Sequence, residues 1–333
     1  MGLSPQSTAS GLTQQSRMTD RNGMSIQVLN GDCREILPTL PAGSVQCCVT
    51  SPPYFGLRDY GVAGQIGLET TPNEFIAAMV EVFREVRRVL ADDGTLWLNL
   101  GDSYAMSTKG AGGQGKQHTN AGSVHADRSW RIPTGFKPKD LLMIPARVAL
   151  ALQADGWWLR SHIIWHKPNP MPESVTDRPT SSHESIFLLT KSARYFYDAE
   201  AVKENSTEFE RTPNRARVDT GIRKGKTDAR IDAVNQCGVN ELRNLRNVWT
   251  VATQPFSGAH FATFPPALIE PCIKAGSRPG DTVLDPFGGA GTTGLVADRL
   301  NRNAILIELN PTYAAMAGDR IQSDAPLFAE VFA

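Results

Sequence analysis

The chain has no excess of either charge: 34 Lys and Arg stand against 34 Asp and Glu in 333 residues. No global basic field announces a polyanionic partner, although basic residues gathered on one face would still serve one. No apolar run approaches the ~18 residues of a membrane span, so no membrane association is expected. Cysteine is scarce. The five present, at positions 33, 47, 48, 237 and 272, are odd in number and lack the paired spacing of a metal site. They read as reduced thiols of a cytoplasmic protein without a signal peptide or a resident metal. What remains is a 41% hydrophobic chain whose length suits one large domain, or one domain carrying an insertion.

Val49-Thr50-Ser51-Pro52-Pro53-Tyr54 follows an apolar stretch, Val45–Val49, and precedes a Gly-containing loop. Two prolines have no N–H for a sheet ladder, so they end the strand abruptly and fix their own carbonyl directions. A small hydroxyl side chain precedes them and an aromatic ring follows. The result is a rigid acceptor site beside a stacking platform, suited to a flat group that bears an amino function. An ordinary strand-ending turn is the plainer reading of the same four residues.

A second motif is Thr282-Val283-Leu284-Asp285-Pro286-Phe287-Gly288-Gly289-Ala290-Gly291-Thr292-Thr293-Gly294. An apolar strand ends in an acid, and a Gly-rich turn opens a helix running to about Leu300. Glycines let the backbone approach a ligand, and a helix N-terminus offers free N–H groups. A further strand, Asn303 to Leu309, carries Glu308, where a carboxylate can accept both hydroxyls of a ribose. Gly289 to Gly294 also satisfies the dinucleotide pattern, a weak signal alone. No Lys follows these glycines, which argues against a phosphate-binding P-loop.

Together the two motifs resemble the amino-methyltransferases of DNA, which use S-adenosyl-L-methionine and release S-adenosyl-L-homocysteine. The family's cofactor motif, Asp-Pro-Phe-x-Gly-x-Gly, matches Asp285 to Gly291, and its catalytic motif matches Ser51, Pro52, Pro53 and Tyr54. The catalytic motif comes first, as in the circularly permuted β class, and the likeness spans about Met24 to Ser323. The resemblance implies an α/β fold, a circularly permuted Rossmann-like methyltransferase sheet with one antiparallel edge strand and a small target-recognition insertion. Cofactor contacts are then expected at Asp32, Phe264, Asp285, Phe287, Gly289, Gly291, Thr292, Thr293, Glu308 and Asn310. Asp32 is also a natural helix N-cap.

Along the chain, residues 1–23 lack apolar periodicity and are expected to be a disordered tail. Residues 24–198 form the catalytic half. It holds a strand Ser25–Leu29, a helix Arg34 to Leu40, an amphipathic helix from Pro72 to Leu90 and, after the turn Asp92-Asp93-Gly94, a strand Thr95–Leu100. The Gly/Ser/Lys-rich stretch 106–139 is too long for an ordinary connection and is either disordered or a loop that orders on phosphates. Then come a helix Asp140–Ala154, a strand Leu159–His166 and an antiparallel pair, Ser185–Thr190 with Tyr195–Asp198. Residues 248–323 form the cofactor half, with helices at Phe264–Ala275 and Asn310–Ser323, and 324–333 a tail.

Between the halves, residues 199–247 lose apolar periodicity. Within them Arg211, Arg215, Arg217, Arg223, Lys224, Lys226 and Arg230 face Asp219 and Asp228, a local excess of five positive charges. A solvated face is the ordinary explanation. Its position, where the family has its target-recognition region, makes Arg215, Arg217, Arg223 and Lys224 candidate contacts to double-stranded DNA. A cognate restriction endonuclease and a second copy of the chain are the further candidate partners.

An exocyclic amine is a poor nucleophile because its lone pair is conjugated into the ring. If the Ser51 hydroxyl and the Pro52 carbonyl accept its hydrogens, the lone pair can turn toward the methyl donor for direct displacement. The base must be flipped from the duplex, here onto Tyr54, with Pro53 keeping the loop rigid. Ser rather than Asp before the prolines resembles the cytosine-N4 enzymes, with adenine N6 as the alternative. A nicotinamide-dependent oxidoreductase, a silent DNA-binding module and an enzyme acting on RNA or protein amines are the competing classes. Pro271-Cys272 mimics the nucleophile dipeptide of cytosine carbon-5 enzymes, but lies upstream of the glycines in an expected helix.

Overall fold

The computed structural model describes residues 15–19 (backbone only), 24–57, 59–105, 135–206, 242–254 and 264–324. Strands are β1 (Gln15–Thr19), β2 (Ser25–Asn30), β3 (Val45–Thr50), β4 (Leu90–Leu100), β5 (Trp158–His166), β6 (His183–Thr190), β7 (Glu204–Asn205), β8 (Leu242–Arg243), β9 (Val248–Thr250), β10 (Thr282–Asp285) and β11 (Asn303–Glu308). Helices are α1 (Cys33–Ile36), α2 (Pro72–Val89), α3 (Ile144–Ala154), α4 (Pro266–Gly276), α5 (Thr292–Arg299) and α6 (Pro311–Asp324). Two compact units result: Met1–Tyr197 with Asn247–Ala333, and Asp198–Arg246. Among the described residues no helix is long and apolar enough to cross a membrane.

The first unit is built on a nine-stranded sheet in the order β1-β2-β11-β10-β3-β4-β6-β5-β9. Strands β2, β11, β10, β3 and β4 are mutually parallel. The antiparallel strand expected at an edge is β6, which lies inside the sheet between β4 and β5. A second antiparallel strand, β1, pairs with β2 at the opposite edge, within a segment expected to be disordered. Tyr195–Asp198 is not a strand: both edges of β6 are already taken, which leaves no ladder for a hairpin partner.

Element boundaries follow local chemistry. Thr71 caps α2 in a reciprocal pair with Glu74, and Pro72 fills the first turn, where a missing N–H costs nothing. The buried stripe of α2 is Phe75, Met79, Val82, Phe83, Val86 and Val89, each worth roughly 1.5–3 kcal/mol of burial. α3 begins at Ile144 rather than at Asp140, because Asp102 Oδ1 accepts the Ile144 N–H at 3.0 Å. α4 begins at Pro266, the second of two consecutive prolines, rather than at Phe264, with Pro265 extended at its N-cap. Helix α2 packs against α1 and α3, α5 packs against α4 and α6, and both groups lie on the sheet.

In chain order the path moves from β3 to β4 on one side and from β10 to β11 on the other, so β3 and β10, parallel neighbours, flank the point where strand order reverses. Ligands of open α/β sheets bind there, outside the carboxyl ends of the strands. The second unit is described at residues 198–206 and 242–246. Its strands β7 and β8 are antiparallel, with Glu204 Oε1 accepting from Arg243 Nε at 2.8 Å and Arg246 Nε at 2.5 Å.

Candidate functional site

β10 delivers Asp285 into full burial, 1% exposed. Its carboxylate accepts from Thr50 Oγ1 and Thr293 Oγ1, both at 2.6 Å, and from the Phe287 N–H at 3.0 Å. Burial raises its pKa to about 6, with the three hydrogen bonds opposing the rise. Thr50 ends β3 and Thr293 lies in the first turn of α5, so this one acid fastens the strand that carries the proline turn to the helix after the glycine turn. Its oxygens face inward to the protein.

The glycines divide their work. Gly291, at φ +79°, caps α5 and approaches α6 so closely that a Cβ would stand 2.8 Å from the Ala317 Cβ and 3.0 Å from its Cα. Gly289, at φ +51°, has nothing near its missing side chain except the Phe287 carbonyl at 3.9 Å. Gly291 is therefore a packing glycine as well as a turn, while the space before Gly289 is open. Thr292 accepts from Arg320 at 2.9 Å and is buried, as is Thr293. Both threonine side chains, expected to meet a ligand, are occupied within the fold.

At the end of β11, Glu308 Oε2 accepts the Gly289 N–H and Oε1 the Asn310 N–H, each at 2.8 Å. Burial raises the Glu308 pKa, and those two N–H groups restrain the shift. A carboxylate has about four acceptor positions, so each oxygen keeps room for a hydroxyl. Asn310 turns its Oδ1 to the Thr312 N–H at 2.9 Å and caps α6. One strand further, Asp32 caps α1 through the Arg34 N–H at 2.9 Å and ion-pairs with the Arg34 guanidinium. Burial pushes the Asp32 carboxyl up, but the Arg34 hydrogen bonds and charge more than offset it and leave the pKa low. The Gly31 N–H and Asn30 Nδ2 both donate to the Glu308 carbonyl, at 3.0 and 2.8 Å, which ties the ends of β2 and β11 together. Phe287 packs on the core edge, and Phe264 is partly buried just before α4.

On the other side of the switch point, Ser51 to Tyr54 follow β3 without regular secondary structure. Tyr54 is not a free platform. Its hydroxyl donates to Glu184 Oε2 at 2.6 Å and lies 3.2 Å from Asn99 Oδ1. A Cβ on Gly101 would come within 2.4 Å of the tyrosine ring, so the Gly101 backbone is the surface against which that ring packs. Burial and then the Glu184 carboxylate raise the Tyr54 pKa well above its usual value and hold the phenol protonated. Ser51 Oγ is 3.3 Å from both Tyr54 Oη and Asn99 Oδ1. Asn99 Nδ2 in turn donates to Glu184 Oε2 at 3.2 Å, and Lys167 forms an ion pair with Glu184 Oε1.

These groups stand in a row along one edge of the sheet: Asp32, Glu308, the glycine turn, Ser51–Tyr54, Asn99, Glu184 and Lys167. Because β6 runs antiparallel, its first residues reach the same edge as the ends of its neighbours. Thr50, Asn99, Gly101, Glu184 and Lys167 are missing from the sequence-based set. A single acid opening the apolar run His183–Thr190 was the one local signal for Glu184.

Cys272 is 1% exposed on α4, and its thiol donates to the Leu268 carbonyl at 3.8 Å. Burial drives its pKa well above normal, which leaves no thiolate for a carbon-5 mechanism. Arg215, Arg217, Arg223 and Lys224 lie outside the described residues, as do Cys237 and positions 106–134 of the expected loop. The base of that loop is described: Tyr104 bridges to Leu141, and the Ala105 N–H donates to the Asp140 carbonyl at 2.8 Å. Among the described residues no group of three His, Cys, Asp or Glu could hold a metal ion.

The family model for DNA methylase matches residues 45–319. The chain is 50% identical to the Type II methyltransferase M.XycI of Xanthomonas campestris pv. cyanopsidis, over 89% of this chain and 87% of that one. Among solved structures it is similar to a Thermus thermophilus protein assigned as a DNA modification methylase and crystallised with S-adenosyl-L-methionine. The TM-score there is 0.55, with 26% identity over 90% of this chain and 95% of the other. The cytosine-N4-specific PvuII DNA methyltransferase gives a TM-score of 0.58, with 90% of each chain covered; at 19% identity this likeness concerns the fold alone.

Proposed function

Because the chain belongs to the DNA methylase family, an amino-methyltransferase of Type II kind, we propose that it methylates the N4 amine of a flipped cytosine in double-stranded DNA. The observation that carries this reading is the adjacency of two turns: Ser51–Tyr54 after β3 and Gly288–Gly291 after β10, on parallel neighbours at the switch point. The residues present suit S-adenosyl-L-methionine. Open space before Gly289 admits a ligand to the backbone, and Glu308 retains acceptor positions for a ribose diol. Asp32, Phe264, Phe287 and Asn310 are the further proposed contacts. Asp285, Thr292 and Thr293 act by shaping the turn. When bound, the cofactor supplies an electrophilic methyl group on a sulfonium.

The chain's own residues do the rest. Ser51 Oγ and the Pro52 carbonyl accept the two amine hydrogens, which frees the nitrogen lone pair, and Pro53 limits the loop's freedom. The Tyr54 ring, fixed by Glu184 and Gly101, gives the flipped base a stacking surface; such stacking is worth roughly 1–3 kcal/mol. Ser51 is a neutral hydroxyl that both donates and accepts, and the family resemblance of Ser-Pro-Pro-Tyr favours cytosine over adenine. Arg215, Arg217, Arg223 and Lys224 are the proposed DNA contacts, supported by the local charge excess. A cytoplasmic setting and a cognate endonuclease fit a Type II enzyme.

The test is nucleoside analysis of DNA from cells that express the protein. N4-methylcytosine is the expected product. N6-methyladenine would transfer the same site to the alternative base, and no modified amine at all would overturn the reading.

A further inference from the structure

Methylation of a neutral amine leaves one proton too many on the product nitrogen. The two acceptors proposed for that amine, Ser51 Oγ and the Pro52 carbonyl, are poor bases, so the proton needs a path to a better one. From Ser51 Oγ the structure offers two steps, Tyr54 Oη and Asn99 Oδ1, both at 3.3 Å. Asn99 is an amide and ends the path there, because an amide oxygen takes no proton near neutral pH. Tyr54 continues it: its hydroxyl donates to Glu184 Oε2 at 2.6 Å, the length of a charge-assisted O–H···O bond. Glu184 is the one carboxylate that the described hydrogen bonds reach from Ser51. Its side chain is 15% exposed, so a proton received there can pass on to water.

Resting on the amino-methyltransferase reading, we propose that Glu184 is the terminal proton acceptor for the target amine, reached through Ser51 and Tyr54. As the N–CH3 bond forms, the S–CH3 bond breaks and sulfur keeps the electron pair. The nitrogen then gives one proton to Ser51 Oγ, Ser51 gives its own to Tyr54 Oη, and Tyr54 gives its own to Glu184, which ends neutral. No other reactant is required. Lys167, paired with Glu184 Oε1 and lying 4.4 Å from the Trp165 ring centroid, positions the carboxylate so that Oε2 faces the tyrosine. The Ser51–Tyr54 link is long at 3.3 Å, and such catalytic bonds tighten in the complex with substrate.

Glu184→Gln keeps an acceptor for Tyr54 but removes the base, and Tyr54→Phe keeps the ring but cuts the path. Each should lower the single-turnover methylation rate about 100-fold, the lower end of general-base effects. Affinities for S-adenosyl-L-methionine and for DNA, measured by calorimetry and by fluorescence anisotropy, should stay within about twofold of the unaltered protein, since neither binding step moves this proton. The double variant should be no slower than the slower single one, because both break the same path. A readout independent of turnover is tyrosinate absorbance, taken as the difference from Tyr54→Phe. Glu184→Gln should move the Tyr54 titration to lower pH by removing the adjacent negative charge. A full-rate Glu184→Gln, additive losses, or an unmoved titration would each overturn the relay. If the unaltered protein methylates no DNA amine, the functional reading fails instead, and the two failures are distinguishable.

Discussion

The glycine turn and the proline turn sit at the ends of adjacent strands, yet they are held by opposite means. Around the glycine turn, acids are satisfied mostly by groups close in sequence: Glu308 takes the N–H of Asn310, and Asp285 that of Phe287 and the hydroxyl of Thr293. Around the proline turn the partners come from far along the chain. Tyr54 reaches Asn99 and Glu184, 45 and 130 positions away. The first arrangement is rigid from local backbone geometry and holds a ligand of fixed shape. The second depends on β3, β4, β5 and β6 all being in register, so it reports on the integrity of the sheet and suits groups that must move protons.

Asp285 is the element the two sides share, and removing it tests the comparison hardest. Asp285→Ala strands Thr50 and the Phe287 N–H in a buried place and leaves Thr293 only a long bond to the Val49 carbonyl, 3.5 Å. At about 1–3 kcal/mol per unsatisfied group, with partial relaxation, a loss on the order of 4 kcal/mol is expected in urea unfolding. The acid also gives stability a pH signature. Its folded pKa of about 6 lies above the ordinary 3.8, so the folded state binds the proton more tightly. The resulting stabilisation is fully present below about pH 4 and is lost as pH rises through about 6. Relative to Asp285→Asn, the unaltered protein should lose on the order of 3 kcal/mol across that window. A flat difference would mean that Asp285 is not buried as a lone carboxyl.

The contrast also sets what the sequence alone reveals. Asp285, Gly289, Gly291 and Glu308 are visible because a strand, a turn and a strand end occur within 24 consecutive residues, each with a local physical signature. Ser51 to Tyr54 are visible for the same reason. Glu184, Asn99 and Lys167 are not: an antiparallel strand at Ser185–Thr190 is legible, but no local pattern says that it pairs between β4 and β5 and so brings Glu184 to the same edge as Ser51. The misplaced strand Tyr195–Asp198 has the same origin: its apolar and aromatic residues fit a strand, but β5 already occupies the ladder it would need. The division of labour among the glycines was hidden too, because a packing glycine and an open one look alike until α6 is laid against the turn.

That last difference can be sharpened directly. Gly291→Ala combines a left-handed φ with a 2.8 Å approach to Ala317, and overpacking of this kind costs about 1–3 kcal/mol beyond roughly 1 for the dihedral. Gly289→Ala carries the dihedral cost alone, about 1 kcal/mol. Paired urea unfolding should therefore rank Gly291→Ala clearly below Gly289→Ala. Calorimetry with S-adenosyl-L-methionine should find the weaker binding in the folded Gly289→Ala protein, whose new methyl enters the open space. Equal stabilities would show that α6 yields, and that the two glycines are equivalent after all.

The smallest effect is expected at Cys272, and it bears on which side of the sheet the chemistry lies. This thiol is buried on α4, its Sγ donating to the Leu268 carbonyl one turn back, and its own carbonyl lies 4.0 Å from the Cys47 sulfur of β3. A serine there makes the same i to i−4 bond with a shorter reach, so Cys272→Ser should cost about 1 kcal/mol of stability. Methylation by the folded variant should proceed at the unaltered rate. A carbon-5 mechanism would need that sulfur as a thiolate attacking the base, and burial holds it protonated. An inactive yet fully folded Cys272→Ser protein would therefore move the reaction away from the proline turn. An active one leaves the edge running from Ser51 to Glu184 as the place where the amine is handled.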